Sequence, residues 1–127
     1  MKTIHAVIGV VFNEKKQILV SKRLEGKSYE GYWELPGGKV EPGEQPNETL
    51  EREFFEEVGI NIIEADFLKT IHYQYPEFMV TLEVFKVNRF TGKVYSKEGQ
   101  ELAWLDPNNL SEISPLLPAS NEILELL

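Results

Sequence analysis

Residues 38–60, GKVEPGEQPNETLEREFFEEVGI, contain the strongest helix signal of the sequence. Pro46 suits the first turn of a helix, and Gly59 suits the position just beyond its end. We therefore predict a helix from Pro46 to Val58. At about 100° per residue, its faces separate into an apolar arc and an acidic arc. The apolar arc contains Leu50, Phe54, Phe55 and Val58, and the acidic arc contains Glu53, Glu56 and Glu57.

The acidic arc places like charges at i, i+3 and i+4, which destabilises an exposed helix by about 0.2–0.5 kcal/mol per pair. A divalent cation would remove that cost, because magnesium prefers oxygen ligands and is commonly held by a few carboxylates together with substrate phosphates. The alternative is a solvated acidic face, helped by Arg52, which lies four residues from both Glu48 and Glu56. Spacing alone leaves both interpretations open.

Two pairs of strands are predicted around this helix. Residues 4–12 and 17–23 are apolar or β-branched runs on either side of a polar turn, which favours a hairpin. Residues 62–74 and 78–89 are longer runs joined at Tyr75-Pro76-Glu77, which favours a second hairpin.

Shorter signals complete the pattern. Pro36-Gly37-Gly38 is typical of a turn, residues 101–105 suit a short strand, and Pro118 opens a helix over residues 120–127. Strands around one strong helix, with a second helix at the end, predict an α+β domain with layers and a mixed β-sheet. At 127 residues, we expect one domain spanning residues 1–127.

Composition excludes several functional classes. Thirteen Lys and Arg against twenty-one Asp and Glu give a net charge of −8, which disfavours a nucleic-acid partner but not a small polyanion neutralised by metal cations. The absence of cysteine removes disulfides, thiolate catalysis and thiolate metal sites, and we expect a cytoplasmic location. No apolar run approaches the ~20 residues of a membrane helix, so we expect no membrane partner.

The residues flanking the acidic arc carry a specific motif. Gly38 is followed after five residues by Glu44, and after seven more by Arg52-Glu53-Phe54-Phe55-Glu56-Glu57-Val58-Gly59-Ile60. Every fixed position of the Nudix box, G-x5-E-x7-R-E-U-x-E-E-x-G-U with U a bulky apolar residue, is matched. The chain is identified as a member of the Nudix hydrolase superfamily. The resemblance implies the Nudix fold, an α/β/α sandwich with a loop–helix–loop motif that holds Mg²⁺, or Mn²⁺ as a substitute, against a nucleoside diphosphate-linked substrate.

The resemblance also implies roles for the motif residues. Glu56 and Glu57 are metal ligands, and Glu53 is a ligand or the general base that accepts the proton of the attacking water. Glu44 supports the site, and Arg52 orients the carboxylates by hydrogen bonding.

Residues around the motif extend the expected site. Gly37 and Gly38 allow the backbone to approach metal and phosphates closely. Arg23 and Lys39 are candidate phosphate contacts, each with a surface basic residue as the alternative. Glu98 lies where the MutT-type 8-oxo-dGTP diphosphatases, which the chain resembles over nearly its whole length, place a further metal-binding carboxylate.

This second resemblance rests on residues 33–39, 97–100 and 118–121 and bears on the nucleobase. Asn121 offers both a donor and an acceptor to an oxidised guanine, although asparagine is also common in a first helical turn. Four residues are expected as apolar or stacking walls, with packing in a sheet as the alternative: Leu35, Tyr73, Tyr75 and Phe78. Phe78-Met79 and residues 24–31 depart from the MutT pattern, and we expect the latter loop to cover the nucleotide.

The implied activity is the conversion of a nucleoside triphosphate, 8-oxo-dGTP by preference, to the monophosphate and pyrophosphate by water attacking the β-phosphorus. Removal of 8-oxo-dGTP would serve DNA replication and repair by sanitising the nucleotide pool. One alternative is a pyrophosphohydrolase that prefers CTP or dCTP. Another is a catalytically silent, nucleotide-binding domain, against which the intact carboxylate pairs argue. We expect a monomer.

Overall fold

A computed structural model describes residues 2–127 of the protein as nine named helices and strands and one short 3-10 turn. The elements run in the order β1 (Lys2–Val11), β2 (Ile18–Lys22), β3 (Trp33–Glu34), β4 (Gly37–Lys39), α1 (Pro46–Val58), β5 (Asn61–Gln74), β6 (Phe78–Thr91), β7 (Leu102–Leu105), the 3-10 turn (Leu110–Glu112) and α2 (Pro118–Glu125).

The strands form two sheets. A four-stranded sheet has the order β4-β1-β6-β5, with β1 parallel to β6 and the other pairs antiparallel. A three-stranded antiparallel sheet has the order β3-β2-β7. The prediction of an α+β fold with a mixed sheet is confirmed.

Two apolar cores lie on opposite faces of the large sheet, because successive side chains of a strand point to opposite sides. Val7 and Val11 of β1 pack with Leu50 and Phe54 of α1 in one core. The other core contains the alternate β1 residues together with α2. This arrangement is the expected α/β/α sandwich.

Helix α1 has the predicted bounds. The N–H of Gly59, a residue with φ 72°, closes the helix on the Phe55 carbonyl at 3.2 Å. Phe54 is buried, but Phe55 is 48% exposed, so its placement in the apolar arc was wrong. The Lys97 ammonium lies 4.1 Å from the centre of the Phe55 ring, which places this ring under a loop rather than in the core.

The predicted first hairpin is wrong. β1 and β2 share one bridge, between Phe12 and Ile18, and then enter different sheets. β1 pairs with β6 along one edge and with β4 over residues 6–8 of the other, whereas β2 pairs with β3 and β7. The second hairpin, β5 with β6, is confirmed.

The turn predicted at Gly37 and Gly38 is also wrong, because these residues form strand β4 against β1. A Cβ on Gly37 would collide with the backbone carbonyl of Val7. Glycine is needed here for a close approach of two backbones rather than for a turn. No helix among residues 2–127 is long and apolar enough to cross a membrane.

Candidate active site

A cavity of about 610 Å³ opens where β4, the end of α1, the start of β6 and the start of α2 meet. Most of the residues predicted for the site line it, namely Arg23, Leu35, Gly37, Gly38, Lys39, Glu53, Glu57, Phe78 and Glu98. The other predicted site residues, Glu44, Arg52, Glu56 and Asn121, lie outside this lining. The fold thus brings together residues from positions 23 to 98 of the sequence.

Arg52 lies behind the cavity and bonds three carboxylates. Its Nε and Nη2 donate to the two carboxylate oxygens of Glu44 at 2.6 and 3.0 Å. Its Nη1 donates to Glu53 and to Glu56, each at 2.9 Å. These hydrogen bonds raise the pKa of Arg52, so the guanidinium remains charged. The bidentate geometry fits a residue that orients the acidic arc of α1.

Glu44 is held on all sides as an anion. The hydrogen bond from Arg52, followed by those from the Glu41 amide at 3.0 Å and the Thr49 hydroxyl at 2.8 Å, lowers the pKa of Glu44 to about 2. A carboxylate with its oxygens occupied in this way supports its neighbours without facing the cavity.

Glu57 has the opposite environment. Burial, together with the hydrogen bond and charge of the neighbouring Glu53 carboxyl, raises the pKa of Glu57 to about 10. Its Oε2 is buried without a hydrogen-bond partner among the described residues. A buried carboxylate oxygen without a hydrogen-bond partner, in a cavity lined by other carboxylates, is a group that a bound cation would satisfy.

Gly38 lies directly against Glu53. A Cβ at position 38 would collide with the Glu53 carboxyl group. The glycine therefore clears the space that this carboxyl occupies at the mouth of the cavity.

The donor set fits a hard divalent cation. Glu53, Glu57 and Glu98 all line the cavity and offer only oxygen ligands, which magnesium prefers. Within residues 2–127, no three carboxylate or histidine side chains lie close enough together to form a metal site by themselves. Glu56, whose side chain is 44% exposed, lies outside the cavity lining and accepts a hydrogen bond from the same Arg52 nitrogen that bonds Glu53; its role as a metal ligand stays a prediction.

Glu34 is a cavity residue that sequence reasoning missed. Its carboxylate accepts two hydrogen bonds from Arg23 Nη1, at 3.0 and 3.2 Å, while Arg23 Nε donates to the Ser28 carbonyl at 2.6 Å. Burial raises the pKa of Glu34, against the opposing effect of the Arg23 guanidinium. The feature that could have identified Glu34 is its position as an acidic residue between two apolar residues, Trp33 and Leu35, whose side chains are buried.

Aromatic side chains line the far end of the cavity. Tyr75 packs against Phe78 and Tyr29, with ring centres 5.1 and 5.2 Å apart, and its hydroxyl accepts a hydrogen bond from the Ala119 amide at 3.1 Å. Burial raises the pKa of Tyr75 to about 12. Tyr29 comes from the loop predicted to cover the nucleotide, and this residue was missed. Such rings suit one face of a nucleobase.

The start of α2 places Ser120, rather than Asn121, at the cavity. Ser120 is buried and its Oγ accepts a hydrogen bond from the Leu35 amide at 3.1 Å, which leaves its hydroxyl proton available. The Asn121 carboxamide donates to Glu125 at 2.6 Å, along the same helix. One residue of helix turns the side chain by about 100°, which separates these neighbours. Base recognition by Asn121 stays a prediction that this geometry does not favour.

Comparison with known proteins agrees with this geometry. The NUDIX domain model matches residues 2–127, so the chain belongs to the Nudix family of hydrolases. Members of this family act on small nucleotide substrates and generally use divalent metals.

Three relatives bear on the activity. An 8-oxo-dGTP diphosphatase of Haemophilus influenzae is 33% identical over 126 residues, covering 99% of this chain and 92% of the relative. A CTP pyrophosphohydrolase of Escherichia coli is 32% identical over 125 residues, covering 98% and 91%. A solved MutT structure, from work on the Aliivibrio salmonicida and Vibrio cholerae proteins, matches with a TM-score of 0.78 and 30% identity, covering 99% of this chain and 100% of that one.

Proposed function

We propose that the protein is a magnesium-dependent nucleoside triphosphate pyrophosphohydrolase whose preferred substrate is 8-oxo-dGTP. The observation that carries the proposal is one cavity with two ends: an acidic end lined by Glu53, Glu57 and Glu98, and an aromatic end lined by Tyr75 and Phe78. A triphosphate with its counterions fits the first, and a base fits the second. The 8-oxo-dGTP diphosphatase relative supports the choice of substrate.

The reaction adds water across a phosphoanhydride bond. An oxygen–phosphorus bond forms at the β-phosphorus, the bond from that phosphorus to the oxygen bridging to the α-phosphorus breaks, and the products are the monophosphate and pyrophosphate. Magnesium, when bound, screens the phosphate charge and lowers the pKa of water. Glu53 either accepts the proton of the attacking water or serves as a second metal ligand. Glu57, whose Oε2 is buried without a hydrogen-bond partner, is the first ligand.

Other residues of the chain bind and orient. Arg52 holds the Glu53 and Glu56 carboxylates through one nitrogen, so both keep a fixed direction while charge develops at phosphorus. Arg23 and Lys39 line the cavity as cations for the outer phosphates. Because the Arg23 guanidinium also donates to Glu34, a phosphate contact would use its remaining N–H groups.

A second candidate is hydrolysis of CTP or dCTP. The CTP pyrophosphohydrolase relative supports it. Both candidates share the same acidic end and the same products.

The test is pyrophosphate release from 8-oxo-dGTP, dGTP, dCTP and CTP in parallel, with and without Mg²⁺. Glu53→Gln serves as the control for contaminating phosphatases. The proposal requires the highest kcat/KM on 8-oxo-dGTP, lost in the variant. A preference for cytidine nucleotides would select the second candidate, and no hydrolysis of any of the four would contradict both.

A further inference from the structure

The loop between β6 and β7 lies against the C-terminal end of α1. The amide of Tyr95 donates to the Val58 carbonyl at 3.1 Å, and the amide of Lys97 donates to the Glu57 carbonyl at 3.0 Å. The last carbonyls of a helix have no partner within the helix, so this loop satisfies two of them. The loop is thereby tied to the same turn of α1 that presents Glu57.

Gln100 closes this contact with its side chain. It is only 7% exposed, and its carboxamide makes three hydrogen bonds. Its Oε1 accepts from the Ser96 hydroxyl at 2.7 Å and from the Glu98 amide at 3.2 Å, while its Nε2 donates to the Glu57 carbonyl at 3.1 Å. One side chain thus links both sides of the loop to the helix.

A carboxamide fits the chemistry of this position. Two groups donate hydrogen bonds to the Gln100 oxygen, and its nitrogen donates one to the Glu57 carbonyl, so the acceptor and the donor are separate atoms of one neutral group. A carboxylate would lose the donor, and an apolar side chain would leave buried polar groups unsatisfied.

Glu98 depends on this link for its position. Its side chain lines the cavity, yet no hydrogen bond or ion pair of that side chain is found within residues 2–127. Gly99, with φ 85°, follows it directly. The backbone placement of Glu98 is therefore what aims its carboxylate. Gln100 is the side chain that fixes this placement, next to the backbone hydrogen bond from Lys97 to Glu57.

We propose that Gln100 is a positioning residue that holds the Glu98 loop on the end of α1, so that Glu98 meets Glu53 and Glu57 around one cation. The inference rests on the proposed function for the role of Glu98 as a metal ligand. Loss of a group that orients a metal ligand typically costs 10–100-fold in metal affinity or activity.

The experiment compares Gln100→Met, Ser96→Ala, Glu98→Gln and the double variant Glu98→Gln/Gln100→Met with the unsubstituted protein. Gln17→Met is the matched control, because this glutamine accepts a side-chain hydrogen bond from Asn13 in the β1–β2 turn, outside the cavity lining. Binding of Mn²⁺ is measured by calorimetry without nucleotide, and kcat and KM are measured with saturating metal. Thermal melting shows which variants are folded.

The proposal predicts that Gln100→Met weakens Mn²⁺ binding about 10–100-fold, that Ser96→Ala has a smaller effect in the same direction, and that Gln17→Met changes it less than 2-fold. In the Glu98→Gln background, Gln100→Met adds little, because both changes remove the same ligand. If Gln100→Met fails to fold, Ser96→Ala carries the test alone.

Unchanged Mn²⁺ affinity in folded Gln100→Met, or fully additive losses with Glu98→Gln, would overturn the proposal. Absence of Mn²⁺ binding in the unsubstituted protein would also overturn it. Absence of nucleotide hydrolysis with intact Mn²⁺ binding would overturn the proposed function alone, and the affinity comparison would still decide the role of Gln100.

Discussion

The acidic end and the aromatic end of the cavity differ in how far apart in the sequence their residues lie. At the acidic end, helix α1 supplies Glu53 and Glu57, the β6–β7 loop adds Glu98, and Arg52 joins Glu53 to Glu44 and Glu56 at distances of 2.6–3.0 Å. At the aromatic end, three separate segments contribute: the β3–β4 connection with Leu35, the β5–β6 turn with Tyr75 and Phe78, and the start of α2 with Ser120. A short motif can encode the first, whereas only the folded chain assembles the second. We expect changes at the acidic end to affect the rate with every nucleotide and changes at the aromatic end to affect the choice of nucleotide.

The largest effect is expected from Glu53→Gln. Loss of the general base or of a ligand that holds the metal should lower kcat by about 10²–10⁴-fold on every triphosphate, since proton transfer by a positioned side chain contributes that much. Steady-state assays with 8-oxo-dGTP and dCTP measure it. A loss confined to one nucleotide would place Glu53 in base recognition and contradict the division of the cavity.

Arg52→Lys is expected to lower kcat about 10–100-fold with the protein folded. Lysine keeps the charge but lacks the planar fork that makes two hydrogen bonds to Glu44. Glu44→Gln is the matched variant, and it should give a loss of similar size. Activity within 2-fold of normal in both would show that this network has no part in catalysis.

Glu44 also gives a pH dependence of stability. Because the folded pKa of Glu44 is lowered to about 2, its contribution is present above its ordinary pKa near 4.5 and is lost as the pH falls from there towards 2. Acid unfolding followed by circular dichroism should therefore show a smaller loss of stability over this window in Glu44→Gln than in the unsubstituted protein. Parallel curves would contradict the assigned ion pair.

At the aromatic end, Ser120→Ala is expected to change the ratio of kcat/KM for 8-oxo-dGTP and dCTP by about 10-fold, the typical value of a hydrogen bond to a substrate. Asn121→Ala should change that ratio less than 3-fold, because its carboxamide bonds Glu125. The reverse order would restore Asn121 as the residue that recognises the base.

The smallest expected effect is a gain in stability. The raised pKa of Glu57 means that the folded protein keeps a proton which the unfolded chain loses above pH 4.5, so stability falls as the pH rises towards 10. Glu57→Gln should therefore raise the melting temperature of the metal-free protein at pH 8, by about 4 °C for each kcal/mol gained. It should do so much less at pH 4, and an equal gain at both pH values would assign the effect to packing instead.

Sequence reasoning succeeded where structure is local. The bounds of α1 follow from Pro46 and Gly59, and the contact between Arg52 and Glu56 follows from their spacing of four residues. Glu48, at the same spacing on the other side, accepts a hydrogen bond from the Gln45 amide and is not bonded to Arg52. It failed where strands distant in sequence pair, because β1 pairs with β4 and β6 in one sheet while β2 pairs with β3 and β7 in the other.

The aromatic end shows the same limit at the level of single side chains. Ser120 and Asn121 are adjacent in sequence, and only the packing of α2 decides which of them reaches the cavity. Glu34 was missed because its partner, Arg23, is eleven residues away and meets it across paired strands. The structure therefore agrees with the family assignment, and it places Ser120 in the cavity lining where the sequence had suggested Asn121 for contact with the nucleobase.

The most direct test of the central claim is hydrolysis of 8-oxo-dGTP with Mg²⁺ in ¹⁸O-labelled water, with both products analysed by mass spectrometry. If the carboxylates at the acidic end direct water onto the β-phosphorus, the label appears in pyrophosphate and the monophosphate remains unlabelled. Label in the monophosphate would place the attack at the α-phosphorus and contradict the proposed arrangement of substrate in the cavity.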